Sequence, residues 1–299
     1  MRVIVLGSAA GGGVPQWNCR CPVCALAWSG DTRVKRRTQS SIAVTVDNQH
    51  YVLINAAPDL REHILREPAL QPRDGARGSP IKACIVTNAD VDHVAGLLTL
   101  RERQAFDLFA TSATLSALAG NPIFGVLAAD CVSRRPVALG AAFEPAPGLS
   151  VKAFAMPGKV ALWQEGETVE IGGEGETSVA LEIRQGDKRV VYAPACAKVT
   201  PSLRDRIDGA EAVFFDGTTF TDDELVSRGL MTKTARRMGH MPMSGADGSI
   251  AALADLSVGR KIFIHLNNSN PVLIEDSAER RAVEAAGWEV AYDGMEIVL

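Results

Sequence analysis

Twice in 299 residues the chain runs through the same succession: a lone strand, a hairpin, then helices alternating with strands. The first round opens with the apolar "RVIVLG" at 2–7. It passes through "SSIAVTVDNQHYVLINAAP", where the polar "DNQH" breaks two β-rich runs, to a helix near 59–66, the strand "KACIVT" and a helix-like "VAGLLTLRERQ". The second runs from "LSVKAFAM" through the hairpin "SVALEIRQGDKRVVYAP", turned at "QGD", to the strand "AEAVFFDG". A helix at 246–254, the strand "RKIFIHL", a helix at 277–286 and a closing hairpin "WEVAYDGMEIVL" complete it. Hairpin-rich sheets followed by helix–strand alternation must bury one sheet face against another and the outer faces under helices. The pattern therefore predicts an α/β fold, a four-layer αββα sandwich of two mixed sheets. With no Ser/Pro linker, charge block or low-complexity tract to divide it, the expectation is one domain over 1–299 with two similar halves. Residues 111–148 read as irregular.

A composition of 46% hydrophobic and 22% charged residues supplies a large core, and a net charge of −4 carries no basic footprint. Nucleic acid is excluded as a partner on those grounds. The N-terminal apolar run is about five residues, short of the roughly 7–15 of a secretory h-region, and no stretch approaches the roughly 18 apolar residues of a membrane span. The expected compartment is cytoplasmic; a homodimer is left open. The Gly-rich "GSAAGGGVPQWN" follows a strand but lacks the G-x-G-x-x-G spacing and opens no helix, so tight backbone turning explains it better than phosphate binding.

Two stretches carry chemistry. "TNADVDHVAG", Thr87 to Gly96, follows an apolar strand directly, and a cluster of Asp and His at a strand end is how many metallohydrolases present ligands. The competing account is that Asp92 and His93 cap the helix that follows, which explains the Asp better than the His. In "CRCPVC" the thiols of Cys19, Cys21 and Cys24 lie close enough for one loop to wrap them round a tetrahedral zinc ion, the competing account being three reduced surface thiols. A fourth ligand is needed. His50 and His63, in a hairpin turn and a polar helix, read as solvated; His240, in the Gly/Pro/Ser-rich "RRMGHMPMSG", is free to reach another loop and is the expected fourth ligand.

"TNADVDHVAGL" resembles the metallo-β-lactamase superfamily motif T-H-x-H-x-D-H-x-x-G-L. "YDGMEI" and "GVPQWNCRCPVC" narrow the likeness to a branch that includes a phosphonate-pathway phosphodiesterase. "RTQSSIAV", "GHMPMSG" and "HLNNSNP" are similar to members that serve biosynthesis of the cofactor pyrroloquinoline quinone (PQQ), over essentially the whole chain. The resemblance implies the αββα sandwich, a structural zinc at Cys19, Cys21, Cys24 and His240, and a metal site between the sheets. In hydrolytic relatives a first metal takes the two His of H-x-H, a third His and a bridging Asp. Those places here hold Asn88, Asp90, Gly158 and Ala195. The second metal's set survives as Asp92, His93 and His265, with Asp90 open as a further ligand or a base.

A paired-ion hydrolase is thereby disfavoured, and two His plus one carboxylate is the ligand count of non-haem Fe(II) oxygenases. The resemblance implies an iron-dependent oxygenase using molecular oxygen to hydroxylate the tyrosine ring of a Glu–Tyr-derived PQQ precursor. Zinc would compete for the same site during purification. The alternatives are a soluble carrier that moves PQQ or its precursor toward the periplasm, and a mononuclear zinc hydrolase. Lys159, beside Gly158, and Asn267 and Asn268 of "NNSN" are the expected substrate contacts.

Overall fold

The computed structural model describes residues 1–73, 75–166 and 171–299. The first half contributes β1 (Arg2–Gly7), β2 (Ser41–Thr45), β3 (Tyr51–Ile54), β4 (Ile81–Ile85), β5 (Phe106–Ala110) and β6 (Val132–Pro136). The second contributes β7 (Ala142–Ala146), β8 (Leu149–Ala155), β9 (Val179–Gln185), β10 (Lys188–Ala193), β11 (Ala212–Asp216), β12 (Arg260–Ile264), β13 (Trp288–Val290) and finally β14 (Glu296–Val298). They form two seven-stranded sheets, ordered β14-β1-β2-β3-β4-β5-β6 and β13-β12-β11-β10-β9-β8-β7. Both hairpins read from the sequence are present and antiparallel, with Ile42 opposite Ile54 and Val190 opposite Ile183. Beyond them β3 to β6 and β10 to β13 run parallel, and parallel neighbours need crossover connections, which here carry the covering helices.

Alternation sorts the side chains into three apolar layers. Val3, Val5, Ile42, Leu181, Val190 and Tyr192 fill the space between the sheets. Leu53, Leu60, Cys84 and Leu108 lie on the outer face of the first sheet, and Val191, Val213, Phe215 and Phe263 on that of the second. This is the expected αββα sandwich. Among the described residues no helix is long and apolar enough to cross a membrane.

Four local expectations are corrected. The final "WEVAYDGMEIVL" is not a hairpin: β13 lies parallel to β12, whereas β14 crosses to the other sheet and pairs with β1, Val298 opposite Arg2. Each strand covers an open sheet edge that would otherwise present unpaired backbone groups. Residues 111–148 are not irregular; they hold the helix Ser112–Ala119, capped by Thr111, followed by β6 and β7. β6 escaped notice because it is an edge strand whose last four residues are exposed and polar in pattern. The helix read at 246–254 shrinks to Ser249–Ala252. "VAGLLTLRERQ" divides into the turn of α-helix Val91–Val94 and a 3-10 stretch Ala95–Arg101, and Gly96 there packs so tightly that a Cβ would fall 2.0 Å from the Ala57 carbonyl oxygen.

Loops after β4, β8, β11 and β12 gather at one end of the sandwich, the C-terminal side where α/β sheets hold their ligands, and enclose a cavity of about 290 Å³.

Candidate metal centre

The chain leaves β4 and enters the short helix Val91–Val94, whose first turn carries Asp92 and His93. His265 follows β12 with a left-handed backbone, φ 60°. A non-glycine residue held there costs of order 1–3 kcal/mol, a strain that persists only where surrounding contacts impose it. Asp92 Oδ2 lies 3.0 Å from His265 Nε2 and 3.9 Å from His93 Nε2, with the two imidazoles edge to face at 5.4 Å.

The hydrogen bonds behind these rings decide what the rings can do. Asn88 Oδ1 sits 2.7 Å from His93 Nδ1 and also accepts the Asp90 amide, so Nδ1 donates and Nε2 presents a bare lone pair. His93 is 1% exposed, and among the described residues its Nε2 has no hydrogen-bond partner. A buried lone pair facing a carboxylate is satisfied by a cation, and an imidazole anchored through its other nitrogen is how proteins orient a metal ligand. His265 is held alike: the Thr218 hydroxyl donates to Asp216 at 2.7 Å and its oxygen lies 3.0 Å from His265 Nδ1. Burial holds His93 below the usual histidine range despite Asp92. Burial alone would push Asp92 up and His265 down, but the neighbouring imidazoles outweigh it for Asp92 and the Asp92 hydrogen bond outweighs it for His265, reversing both. One carboxylate and two imidazoles thus converge as a donor set suited to a single divalent ion.

The places of a first metal are closed. Asn88 is committed to His93, and Asp90 Oδ2 accepts from Asn88 Nδ2 at 3.0 Å. Ala195 offers no donor but lines the cavity. A Cβ at Gly158 would meet Ser178 Cβ at 3.0 Å and Oγ at 3.1 Å, so a histidine there has no room unless Ser178 moves.

His240 does not join the thiols. Its Nδ1 lies 2.7 Å from Asp216 Oδ2, its ring stacks on His265 at 5.3 Å, and it lines the cavity. Asp216 also receives the Cys196 amide and the Thr218 amide and hydroxyl; burial would raise it, but His240 and these donors keep it ionised and below the usual carboxylate range. With every Asp216 lone pair engaged, it anchors His240, and Nε2 is the ring nitrogen left for chemistry.

Cys19, Cys21 and Cys24 do cluster, the last on the first turn of the helix Pro22–Ser29. A Cys21 hydrogen bond pushes Cys24 down to about 7, and the same bond raises Cys21. Three sulfurs sharing negative charge suit a soft, tetrahedral cation. The residue beside the thiols is Asn268, not His240: its backbone carbonyl accepts from Cys21 Sγ at 3.5 Å and its side-chain amide donates to Cys24 Sγ at 3.2 Å. Asn268 is therefore no contact for a molecule in the cavity, whereas Lys159 and Asn267 do line it. His63 is likewise not solvated but buried, bonded to Thr38 at 2.9 Å, while His50 is partly exposed and pairs with Asp47.

Sequence reasoning missed Asp216, Thr218, Glu165 and Lys233, all on the cavity wall or directly behind it. "VFFDG" had the signal: an apolar strand ending on Asp, as "CIVTNAD" does. Glu165 and Lys233 had none.

A family model described as "Beta-lactamase superfamily domain" matches residues 50–266, and the chain is a β-lactamase superfamily domain whose cleft gathers two overlapping groups of possible metal ligands, Asp92, His93 and His265, and Asp216, His240 and His265. Coenzyme PQQ synthesis protein B of Methylorubrum extorquens (strain AM1) is 57% identical over 299 residues, and that of Methylobacterium nodulans 58%, each covering 100% of both chains. A crystal structure of Zn(2+)-bound PqqB from Methylobacterium extorquens superposes with a TM-score of 0.99 at 57% identity, again over 100% of both chains. The chain belongs to the coenzyme PQQ synthesis protein B family, and its role lies in PQQ biosynthesis.

Proposed function

We propose that the protein is an iron(II)-dependent oxygenase that hydroxylates the tyrosine-derived ring of a PQQ precursor. The observation that supports it most is the unpartnered Nε2 of buried His93, aimed with His265 Nε2 at Asp92, beside first-metal positions that no longer hold a ligand set. Iron(II) held by Asp92, His93 and His265 would supply the redox chemistry that activates dioxygen, with coordination positions left free. One oxygen atom enters a ring C–H bond and the other leaves as water, which takes two protons from solvent and two electrons from a small organic reductant of the ascorbate type. The chain's own residues do the rest. Asn88 and Thr218 hold the two imidazoles in the tautomer that offers Nε2. His240, fixed through Nδ1 by Asp216, offers Nε2 to take the proton released from the substrate phenol or ring carbon.

The test is anaerobic reconstitution with Fe(II), then oxygen uptake with a cross-linked Glu–Tyr substrate and ascorbate as the two-electron reductant, set against ascorbate and iron protein without substrate. The expected result is uptake with iron, none with zinc, and loss in His93→Ala and His265→Ala. Zinc turnover equal to that of iron would sink the oxygenase reading, and iron protein that consumes no oxygen would leave a PQQ carrier as the better account.

A further inference from the structure

Two lysines meet one carboxylate at the cavity wall. Glu165 Oε1 lies 2.9 Å from Lys159 Nζ and Oε2 3.6 Å from Lys233 Nζ, with Lys159 and Glu165 only 14% and 12% exposed. Nearby, Arg237 Nη1 is buried with no hydrogen-bond partner among the described residues. All but Arg237 line the cavity that holds Asp92, His93 and His265.

The cluster is anchored to the metal centre on two sides. The short 3-10 turn Leu162–Gln164 precedes Glu165, and the Trp163 indole N–H donates to the Ala89 carbonyl at 3.0 Å, tying Glu165 to the loop that carries Asp92. The Lys159 stem lies over Gly239, next to His240; a Cβ at Gly239 would come 3.1 Å from Lys159 Cγ. Among the described residues Glu165 is the carboxylate that pairs with both Lys159 and Lys233, so two cations at the cavity wall share one counter-charge and can accept a second anion.

We propose that Glu165 is an internal placeholder for a carboxylate of the ligand, which displaces it from Lys159 and Lys233 on binding. The ligand class is a small organic molecule with two or more carboxylates, one set taken by the lysines while the remainder reaches Asp92, His93 and His265. The assignment of the reacting end rests on the metal centre being the reaction site; the exchange itself does not. A tethered carboxylate competes as an intramolecular ligand at an effective concentration of about millimolar, so it lowers the apparent affinity of any free one. It also rejects monocarboxylates, which cannot repay the displaced ion pairs.

The experiment measures binding without turnover, by equilibrium dialysis of the zinc-loaded protein with PQQ, a tricarboxylate, as the probe. Glu165→Gln, which keeps the shape and removes the charge, is expected to bind PQQ about tenfold more tightly, and Lys233→Gln about tenfold more weakly. Glu165→Ala supplies a second variant should Gln retain the lysine contacts. Affinity in both Glu165 variants equal to or weaker than wild type overturns the proposal, as does unchanged affinity in Lys233→Gln. Should these shifts occur while iron protein consumes no oxygen, only the oxygenase reading fails; oxygen uptake with unshifted PQQ affinity removes only the exchange.

Discussion

Replacing Asn88 by Ala tests whether this residue is a lost ligand or a working support. Asn88 Oδ1 accepts the His93 Nδ1 proton at 2.7 Å, and both side chains are buried, 3% and 1% exposed. Without Asn88 the buried Nδ1–H retains only the Thr87 hydroxyl at 3.3 Å, a longer contact from a group already bonded to Asn55. Removing one partner of a buried hydrogen bond costs about 1–3 kcal/mol. If that loss falls on the metal-bound state, where His93 must be neutral and fixed, it converts to roughly tenfold to hundredfold in metal affinity. The assay is competition with a chelating indicator under anaerobic conditions, for Fe(II) and Zn(II) separately. Asn88→Asp keeps an acceptor for Nδ1–H and should restore most of the loss, so the pair separates a lost bond from a lost fold. Asn88→Ala within twofold of wild type would refute the reasoning and return Asn88 to the status of an empty ligand position.

Three further outcomes are expected. Asn268→Ala should release zinc from the thiols during dialysis against chelator and, because Asn268 shares a segment with His265, weaken metal binding at Asp92 as well; His240→Ala should leave the thiol zinc in place, and equal zinc loss in both variants would put His240 back beside the sulfurs. Asn88→His with Asp90→His should not create a second tightly held ion, since Ser178 blocks the third ligand position at Gly158; two ions per chain by elemental analysis would contradict this. Burial pulls His63 down to about 4 from an ordinary 6.5, so the unfolded chain takes up the proton first; folding stability should be full above about pH 6.5 and fall by about 2 kcal/mol by pH 5. Urea unfolding at both pH values should show that His63→Gln loses less, and identical pH dependence in the variant would exclude this histidine as the cause.

Within the chain itself, whatever depends on neighbours a few residues apart was already decided. The short continuous apolar and β-branched runs placed β1, β2, β3, β9, β10 and β12, because strands covered on both faces carry unbroken apolar stretches. The spacing of Cys19, Cys21 and Cys24 determined that one loop would gather three sulfurs, and "ADVDH" that a carboxylate and an imidazole would share a helical turn. Tertiary structure alone decided the partners of residues far apart in sequence. His240 was legible as a free loop histidine, but whether it met the thiols or Asp216 turned on how β11 and β12 deliver their C-terminal ends, and Asn268 reaches the sulfurs because it rides on the segment after His265. Trp288–Val290 and Glu296–Val298 look like a hairpin by composition; each went to a different sheet because two open edges needed covering. Lys159 and Glu165 on the β8–β9 connection meet Lys233 only in the folded protein, since charged side chains in loops carry no periodicity, and their contacts are set by the walls of a cavity that exists once both sheets have packed.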